Sequence, residues 1–300
     1  MKQPVILEVA VNGGTTKARN PHTPIHVDEI VADFLACLDA GASIVHQHDD
    51  LKAMPGSSVP EAMATLSAAV YRAVYRERPD AICYPTSGFN APVETRWAHH
   101  HALDEEGLLM TAFADPGSVN IWNFDAQGRI APSTFVYANS HADIVYILGQ
   151  CAARGLGPNM AIFEPGFLRA TLEHEKAGTL APGAFVKLYF GGPRAAFGLP
   201  PTAQSVDAYL AMFDAFGSRL PWGVAVLGGD VIDTGVADHA LARGGHLRIG
   251  LEDYSGPDTP TNVELVRRAV AACERADRPV ATPAQAAELL GLRARVPAPV

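Results

Sequence analysis

The stretch VDEIVADFLACLDAGASIVHQH, residues 27–48, contains the two patterns from which the fold of this chain is predicted. Its first part, Val27–Ala40, has apolar residues at helical spacing, and Gly41 then ends the predicted helix. Its second part, Ser43–His48, starts with small and apolar residues and is typical of a short strand. A helix that leads into a buried strand is the repeating unit of a parallel sheet covered on both faces. The apolar stripe of the helix consists of Ile30, Phe34, Leu35 and Leu38.

The same alternation continues along the whole chain and predicts an α/β fold, a single (β/α)8 TIM barrel. Eight units favour a closed barrel over an open, doubly wound sheet. No long linker divides the chain, so we expect one catalytic domain over residues 1–300, with Pro283–Leu292 as a C-terminal capping helix. The predicted strands are Pro4–Val11, Ser43–His48, Ala81–Thr86, Leu108–Ala112 with Ser118–Trp122, Met160–Glu164, Ala184–Phe190, Trp222–Leu227 and His246–Glu252. The predicted helices between them include Val27–Ala40, Pro60–Tyr75, Ala142–Ala153, Ser205–Phe216, Val231–Ala242 and Asn262–Arg275.

The composition is that of a globular protein and argues against several classes of partner. The chain has 300 residues, of which 48% are hydrophobic, and a net charge of -9. This acidic balance argues against a surface for nucleic acids or anionic membranes. We expect no signal peptide, and no apolar run reaches the roughly 18 residues that a membrane span requires. The scattered cysteines contain no C-x-x-C pair, which indicates reduced thiols and a cytoplasmic location: Cys37, Cys83, Cys151 and Cys273.

Two histidines at the end of the second predicted strand are candidate metal ligands. Because alternate residues of a strand share a face, His46 and His48 are expected to point the same way. Functional groups of a TIM barrel lie at the carboxyl ends of its strands, so Glu252 should approach these histidines. Two imidazoles and a carboxylate leave one coordination position free for substrate, which is typical of a catalytic zinc site. The alternative is a pair of histidines that merely form hydrogen bonds at a strand end.

Arg248 and Asp253 lie close to Glu252 in the sequence and are candidate catalytic residues. Arg248 has the same strand parity as Glu252, so it should point into the barrel, where a buried guanidinium needs a carboxylate partner. Asp253 is one candidate partner, and beside a metal it could serve as a general base. The alternatives are a structural ion pair for Arg248 and a helix N-cap for Asp253. The three histidines at positions 99–101 are predicted to lie on a solvated helix face.

Six segments, in order along the chain, carry a resemblance to a known family: Val5–Val11 with Asn12-Gly13-Gly14, Ala40–His48, Gly117–Asn120, Gly244–Asp253, Asn262–Val266 and Ala281–Pro283. The most specific is GGHLRIGLED at Gly244–Asp253. On these segments the chain resembles the β-keto acid cleavage enzyme family. The resemblance implies a zinc-dependent barrel enzyme that forms a homotetramer and condenses a β-keto acid with acetyl-CoA to give acetoacetate and a new acyl-CoA. It also implies zinc ligation by His46, His48 and Glu252, a base at Asp253, and an orienting role for Arg248.

This chain departs from the family's usual pattern where the substrate would be contacted. The member that acts on an amino substrate has an acidic residue after the first-strand glycines, whereas this chain has Thr15 and Thr16. A glutamate common in the fifth strand is replaced by the stretch Ala161–Phe163. An unpaired ammonium is costly to bury, so we expect a neutral, largely apolar substrate tail. Glu8, which should enter the barrel, and Asp50 are the residues that could restore a negative charge. The expected substrate contacts are Thr15, Thr16, Thr86, Ser87 and Phe113.

Three other functions are alternatives to β-keto acid cleavage. Metal-dependent hydrolases on the same barrel also carry H-x-H, but on the first strand, and Ile6–Val11 contains no histidine. Another zinc-dependent carbon–carbon lyase on the same barrel is a second alternative. A non-catalytic binding protein is disfavoured because the whole set of predicted zinc ligands, arginine and aspartate is retained.

Overall fold

Residues 27–48 form a helix and a strand in the computed structural model, which describes residues 2–125 and 127–295. Helix α1 spans Val27–Ala40, and the Glu29 carboxylate near its start accepts the backbone N–H of His26 at 3.2 Å. Gly41 adopts φ 118°, a left-handed conformation that suits glycine, and its N–H closes the helix on Leu38. The strand Ile44–Gln47 follows and is wholly buried. The predicted helix is confirmed at both ends.

Within the described residues, eight strands form one sheet of parallel strands, and helices lie between and after them. The strands are β1 (Leu7–Ala10), β2 (Ile44–Gln47), β3 (Cys83–Pro85), β4 (Thr111–Phe113), β5 (Gly157–Ile162), β6 (Phe185–Gly191), β7 (Trp222–Leu227) and β8 (His246–Ile249). The helices after α1 are α2 (Val59–Glu77), α3 (Val93–Glu105), α4 (His141–Arg154), α5 (Pro165–Lys176), α6 (Ala203–Phe216), α7 (Val236–Ala242), α8 (Asn262–Arg275) and α9 (Pro283–Leu290).

The strand order shows a nearly closed barrel. Hydrogen-bonded neighbours follow the order β3-β2-β1-β8-β7-β6-β5-β4, and every pair is parallel. The two end strands, β3 and β4, lie next to each other in space. The predicted (β/α)8 TIM barrel is therefore confirmed, and the loops after all eight strands share one rim.

Helix α9 closes the opposite end of the barrel. Its residues Ala286 and Leu290 pack against apolar side chains from inside the barrel, close to the amino ends of the strands. Full burial of a side chain as large as leucine or phenylalanine stabilises the fold by about 1.5–3 kcal/mol. The predicted capping helix is confirmed, but it ends at Leu290 because Gly291 turns with φ 69°. The inner side chains that it covers include Ile6, Ile44, Ile82 and Phe185.

Several predicted bounds differ from the structure, and three of these differences have a clear local cause. The run Ser118–Trp122 does not extend β4; instead Val119–Asn120 pairs with Val136–Tyr137 in an antiparallel ribbon. Pro116 lacks a backbone N–H for the ladder, which favours the end of β4 before it. Strand β8 ends at Ile249, not at Glu252, because the chain turns at Gly250. Helix α7 begins at Val236 rather than Val231, after Gly235 with φ 76°.

The sequence-based prediction gives no bounds for helices α3 and α5, and the histidines of α3 are not solvated as expected. His99 and His100 are almost completely buried. Nε2 of His99 lies 2.7 Å from the carbonyl oxygen of Thr86, and the His100 ring stacks on Trp97 with centroids 4.7 Å apart. Helix α3 is buried on more than one side, so its apolar and polar residues do not separate into two faces. The expectation of a solvated face is therefore wrong.

These buried histidines lead to a prediction about stability and pH. Burial lowers the pKa of His99 to about 4 and that of His100 well below its ordinary value, so both rings are neutral in the folded protein. An unfolded histidine takes up a proton near pH 6.5, and the folded state does so only at lower pH. We therefore expect the free energy of unfolding to fall as the pH is lowered from about 6.5 to about 4, by up to about 1.4 kcal/mol per pH unit for each histidine.

Urea unfolding of metal-free protein at pH 7 and pH 5 checks this expectation. The variant His100→Phe keeps an aromatic ring against Trp97 but cannot be protonated, so its stability should depend less on pH than that of the wild type. Equal pH dependence in the two proteins would contradict the assignment.

The environment of the cysteines and the apolar character of the helices bear on the predictions of reduced thiols and of no membrane span. All four cysteines are buried and free. Burial raises the pKa of the Cys83 and Cys151 thiols to about 12, so they remain protonated and unreactive at neutral pH. Among the described helices, none combines the length and the apolar character that crossing a membrane requires.

Candidate active site

Three side chains from two distant parts of the sequence meet at the rim of the barrel. His46 lies in β2, His48 is the first residue after β2, and Glu252 lies in the turn after β8. One potential ligand atom from each of them lies within 4.8 Å of the others. The Nε2 atoms of His46 and His48 are 3.4 and 3.5 Å from Oε2 of Glu252. The three predicted metal ligands are therefore neighbours in the structure.

The geometry and charge of this trio fit a divalent cation. Atoms bound to one zinc ion at about 2.0–2.2 Å in a tetrahedral arrangement lie about 3.3–3.6 Å apart. The distances from Oε2 of Glu252 to the two histidine nitrogens, 3.4 and 3.5 Å, fall in this range. Oε2 of Glu252 is buried and has no hydrogen-bond partner among the described residues. Burial opposes ionisation of Glu252, but Arg248 and the two histidines hold its pKa well below the ordinary value. A buried carboxylate oxygen that is charged and unpaired is suited to bind a cation.

His46 is held in the orientation that metal binding requires. Its Nδ1 lies 3.1 Å from the carbonyl oxygen of Tyr84, which fixes the proton on that nitrogen and leaves the lone pair of Nε2 toward Glu252. The His46 ring also stacks on the Tyr84 ring, with centroids 4.4 Å apart. Burial lowers the pKa of His46 to about 3, so the ring is neutral. A neutral, oriented imidazole is the form that ligates metals.

Two glycines create the space and the turn that place Glu252 in the site. Gly250 has φ 132°, and a Cβ atom there would lie 2.0 Å from the carbonyl oxygen of Ala10. The chain therefore turns away from β1 at this point and carries Glu252 over the rim. Gly13, in the loop after β1, has φ 51°, and a Cβ atom there would lie 2.2 Å from Cγ of Glu252.

We expect the substitution Gly13→Ala to weaken metal binding. The added methyl group occupies the position of the Glu252 side chain and must displace it, and a left-handed conformation is also unfavourable for alanine. Loss of support around a metal ligand typically costs about 10–100-fold in metal affinity. Competition with a chelator measures that affinity, and Gly14→Ala is the matched control because its position is open. Equal affinities in the two variants would contradict the assigned role of Gly13.

Arg248 joins three carboxylates at the base of the site. Its Nη2 lies 2.9 Å from Oε1 of Glu252, its Nε donates to Asp253 at 2.9 Å, and its Nη1 donates to Glu8 at 2.9 Å. Burial raises the pKa of Asp253 to about 6, although the Arg248 guanidinium acts in the opposite direction. Asp253 and Glu252 both lie in a turn, so strand alternation is not the reason that their side chains diverge. Asp253 borders a small separate cavity beside Leu265.

Glu8, for which the sequence suggests no role, lies at the centre of a buried polar network. Its Oε1 accepts hydrogen bonds from Lys187 at 3.0 Å, from Tyr84 at 2.7 Å and from Arg248, and Asn159 donates to its Oε2. Burial alone would raise the pKa of Glu8, but Lys187 and Arg248 lower it to about 2. The negative charge of Glu8 is therefore balanced by Lys187 and Arg248 within the protein.

A pocket opens beside the candidate metal ligands His46, His48 and Glu252, called the metal trio below, and its lining is mostly apolar. Its polar residues near the trio include Tyr84, Lys187 and Arg248. Asp115 also lines it, with Oδ1 accepting the Ala161 N–H at 2.7 Å and Oδ2 accepting the Tyr137 hydroxyl at 2.9 Å. Burial raises the pKa of Asp115 to about 6. The apolar lining consists of Phe89, Phe113, Ile121, Phe135, Ala161, Phe163 and Leu227.

Two of the five predicted substrate contacts, Thr86 and Phe113, line this pocket. Thr15 donates to the carbonyl oxygen of Leu251 at 2.7 Å and so supports the turn that carries the carboxylate ligand. Thr16 is exposed in the loop after β1, and the Ser87 hydroxyl lies 3.5 Å from a backbone carbonyl of α3. Thr15, Thr16 and Ser87 are not among the residues that line the pocket, and their contact with substrate stays a prediction. Asp50 also lies outside the pocket lining.

Sequence reasoning missed Lys187, Asp115, Tyr84 and Tyr189, all of which line the pocket. Lys187 could have been noticed because it is the only charged residue in the buried strand β6. Asp115 follows β4 by two residues, at the carboxyl end where functional side chains collect. Nothing in the local sequence marks Tyr84 or Tyr189, because tyrosines are common in buried strands.

The chain is similar to several known proteins. A family model described as beta-keto acid cleavage enzyme matches residues 4–292. The 3-oxoadipate:acetyl-CoA acetyltransferase of Cupriavidus necator is 28% identical over 297 residues, which cover 97% of this chain and 96% of that protein. The 3-keto-5-aminohexanoate cleavage enzyme of Acetoanaerobium sticklandii is 24% identical over 293 residues, 96% of this chain and 98% of that protein. A solved binary complex of ObcA with oxaloacetate has a TM-score of 0.66 at 17% identity, over 92% of this chain and 68% of that chain, and shows a similar fold.

Proposed function

Because this chain belongs to the beta-keto acid cleavage enzyme family, we propose that it converts a β-keto acid and acetyl-CoA into acetoacetate and a new acyl-CoA, with zinc as its metal. The observation that carries the proposal is the His46–His48–Glu252 trio, which opens into a pocket beside Arg248 and Asp253. In this reaction the bond between the α-carbon and the keto carbon of the β-keto acid breaks. The two-carbon carboxylate end joins the acetyl group as acetoacetate, and the remaining acyl group leaves on CoA.

Zinc is supported by the donor set and by the balance of charge. Two imidazoles and one carboxylate are a usual set for a catalytic zinc with an open position. Two cations, Lys187 and Arg248, lie among four carboxyl groups at the site, so a divalent cation would balance the charge. When bound there, the metal would polarise the keto oxygen of the substrate. The four carboxyl groups are those of Glu8, Asp115, Glu252 and Asp253.

Asp253 is the proposed general base, and Arg248 is the residue that orients it. Two nitrogens of Arg248 lie 2.9 and 3.4 Å from the two carboxylate oxygens of Asp253, which fixes the plane of the carboxylate. In the substrate-free enzyme Asp253 lies beside Arg248 and not in the pocket lining. Catalytic contacts often form fully only in the substrate complex, so we expect substrate to draw the carboxylate toward the pocket. The proton that it removes then passes to solvent or product.

The proposed substrate has a neutral, apolar tail. The far wall of the pocket is aromatic and aliphatic, and both permanent cations near it are already paired with Glu8. Asp115 has a hydrogen bond on each oxygen, and the nearby charge of Lys187 stabilises its ionised form. Neither an ammonium nor a second carboxylate on the tail would therefore find an unused partner. Thr86 and Phe113 are the predicted contacts best placed to touch this substrate.

A screen of β-keto acids tests the function and the substrate class together. We expect acetoacetate to form only when acetyl-CoA is present, with a higher kcat/KM for an alkyl β-keto acid than for its 5-amino analogue. A preference for the amine would show that Asp115 acts as a counter-charge. It would overturn the proposal of an apolar substrate tail but not the proposed reaction. Consumption of the β-keto acid without acetyl-CoA would instead favour a hydrolase or another carbon–carbon lyase.

A homotetramer is proposed from the family resemblance. Light scattering at micromolar concentration measures the mass, and a value for one chain would contradict this proposal.

A further inference from the structure

A second cleft, called the rim cleft below, lies at the same end of the barrel as the pocket. It is lined by residues of the loops after β1, β6 and β8 and by the loop of the antiparallel ribbon. It takes no part in the chemistry described above. Its principal side chains are Thr15, Arg19, Phe124, Arg194, Tyr254 and Ser255.

The rim cleft holds two positive charges that no carboxylate neutralises. Arg19 donates to the carbonyl oxygen of Tyr254 at 3.2 Å and to the hydroxyl of Ser255, both of which are neutral groups. Neither Arg19 nor Arg194 forms an ion pair with a carboxylate of the described residues. Both arginines line the same cleft, and burial and the like charge of Arg194 lower the pKa of Arg19. In a chain with a net charge of -9, such a pair is suited to an anionic ligand.

The carboxylates near the rim cleft are already engaged. Asp125 accepts hydrogen bonds from the side chain of Arg129, at 2.9 Å, and from the backbone of its own loop. Asp258 accepts the hydroxyl of Tyr254. Arg129 balances the charge of Asp125, and Arg19 and Arg194 together outnumber Asp258, so the cleft keeps a net positive charge.

An aromatic ring lies next to these charges. Phe124 lines the same part of the rim cleft as Arg19 and Arg194, and 40% of its surface is exposed. An exposed phenylalanine gains little from its position unless a flat, apolar group covers it. Arginines beside an exposed aromatic ring match a ligand that combines phosphates with a purine base, because phosphates pair with guanidinium groups and bases stack on rings.

The rim cleft and the active-site pocket are lined by neighbouring residues of the same loops. Ile121 lines the pocket, and Phe124, three residues further along, lines the rim cleft. The carbonyl of Gly228, next to the pocket residue Leu227, accepts the backbone N–H of Arg194 at 3.0 Å. A pair of backbone hydrogen bonds between Trp122 and Ala196 ties the ribbon to the loop of Arg194. One extended molecule could therefore occupy both spaces.

We propose that the rim cleft binds the adenosine 3′,5′-bisphosphate end of CoA, with Arg19 and Arg194 on the phosphates and Phe124 against the adenine. The thioester end of the molecule then reaches the pocket beside the metal trio. This inference rests on the proposed function, because that function makes acetyl-CoA a substrate. Recognition of the phosphates gives binding energy far from the reacting carbon, whereas the pocket residues act on the thioester.

Calorimetric titration with adenosine 3′,5′-bisphosphate and with CoA tests the site without any turnover. We expect Arg194→Glu to weaken the binding of both by about tenfold or more, the effect of losing a hydrogen bond between charged groups. Phe124→Ala should weaken binding of the bisphosphate but leave that of inorganic phosphate unchanged. Arg267→Glu makes the same charge change on the exposed side of α8 and serves as the control.

Kinetics give a second measurement. The ratio of kcat/KM for acetyl-CoA to that for acetyl-pantetheine, which lacks the nucleotide, should fall in Arg194→Glu and stay at the wild-type value in Arg267→Glu. The inference is overturned if Arg194→Glu binds the bisphosphate as tightly as Arg267→Glu, or if inorganic phosphate binds as tightly as the bisphosphate. Arg194-dependent binding of the bisphosphate without acetyl-CoA-dependent turnover would support the rim cleft and overturn the proposed function. Turnover of acetyl-CoA without binding of the bisphosphate would support the proposed function and overturn the rim cleft as the site for the nucleotide of CoA.

Discussion

The variant His48→Ala is expected to contain no tightly bound zinc and to form no acetoacetate. His48 supplies one of only three side-chain ligand atoms in the trio, and its Nε2 lies 3.5 Å from Oε2 of Glu252. A site with one imidazole and one carboxylate is too weak to keep a catalytic metal, and without the metal the keto oxygen of the substrate is not polarised. Elemental analysis of the purified protein and an assay for acetoacetate measure the two effects.

The double variant His46→Ala, His48→Ala makes this test decisive, because full metal occupancy in it would disprove the assigned ligands. His239→Ala is a matched control, since His239 forms an ion pair with Asp207 on the outside of the barrel. That control should keep the metal content and activity of the wild type. Circular dichroism of all the variants distinguishes loss of the metal from loss of the fold.

Replacing Asp253 by asparagine is expected to lower kcat by about 10²-fold or more, the usual scale for loss of a general base. Asparagine preserves the size of the side chain but cannot accept the proton. It does not remove a metal ligand, because Asp253 lies beyond Arg248 from the trio. The zinc content and the circular dichroism spectrum should therefore equal those of the wild type.

Exchange of the substrate's α-protons with deuterium, followed without acetyl-CoA, isolates the role of Asp253 as a base. This exchange should slow in Asp253→Asn by a factor similar to that for kcat. The control Asp238→Asn changes an exposed carboxylate of α7 and should have no effect. Wild-type turnover in Asp253→Asn would refute the base assignment and leave the metal site unaffected.

Much of the architecture is predictable from local patterns. Helices α1 and α8 have the predicted bounds, and β7 does as well. These elements carry strong periodic signals and clear ends, such as Gly41 after α1 and the Thr261 cap before α8. The number of strand and helix units then predicts the barrel, and the barrel predicts that the rim collects His46, His48 and Glu252.

Other features have weak local signals, and the prediction failed there. Helix α3 is buried on several sides, so its histidines do not show the two-faced pattern of a surface helix. The turn that carries Glu252 begins at Gly250, whose φ of 132° is not apparent from an apolar run that looks like a continuous strand. The ribbon at Val119–Asn120 depends on a partner 16 residues further on, which periodicity alone does not identify.

The sequence by itself determined the fold class and the convergence of His46, His48 and Glu252, because both depend on alternation along a strand and on the shared direction of parallel strands. Only the tertiary structure decided how the rest of the site is built. Glu8, Tyr84, Lys187 and Arg248 come from four different strands and meet inside the barrel, where each neutralises or orients another. The fit of Gly13 against Glu252 and the close approach of Arg19 and Arg194 in the rim cleft arise in the same way. Such contacts depend on how the strands are staggered around the closed barrel, and residue patterns within single segments do not contain that information.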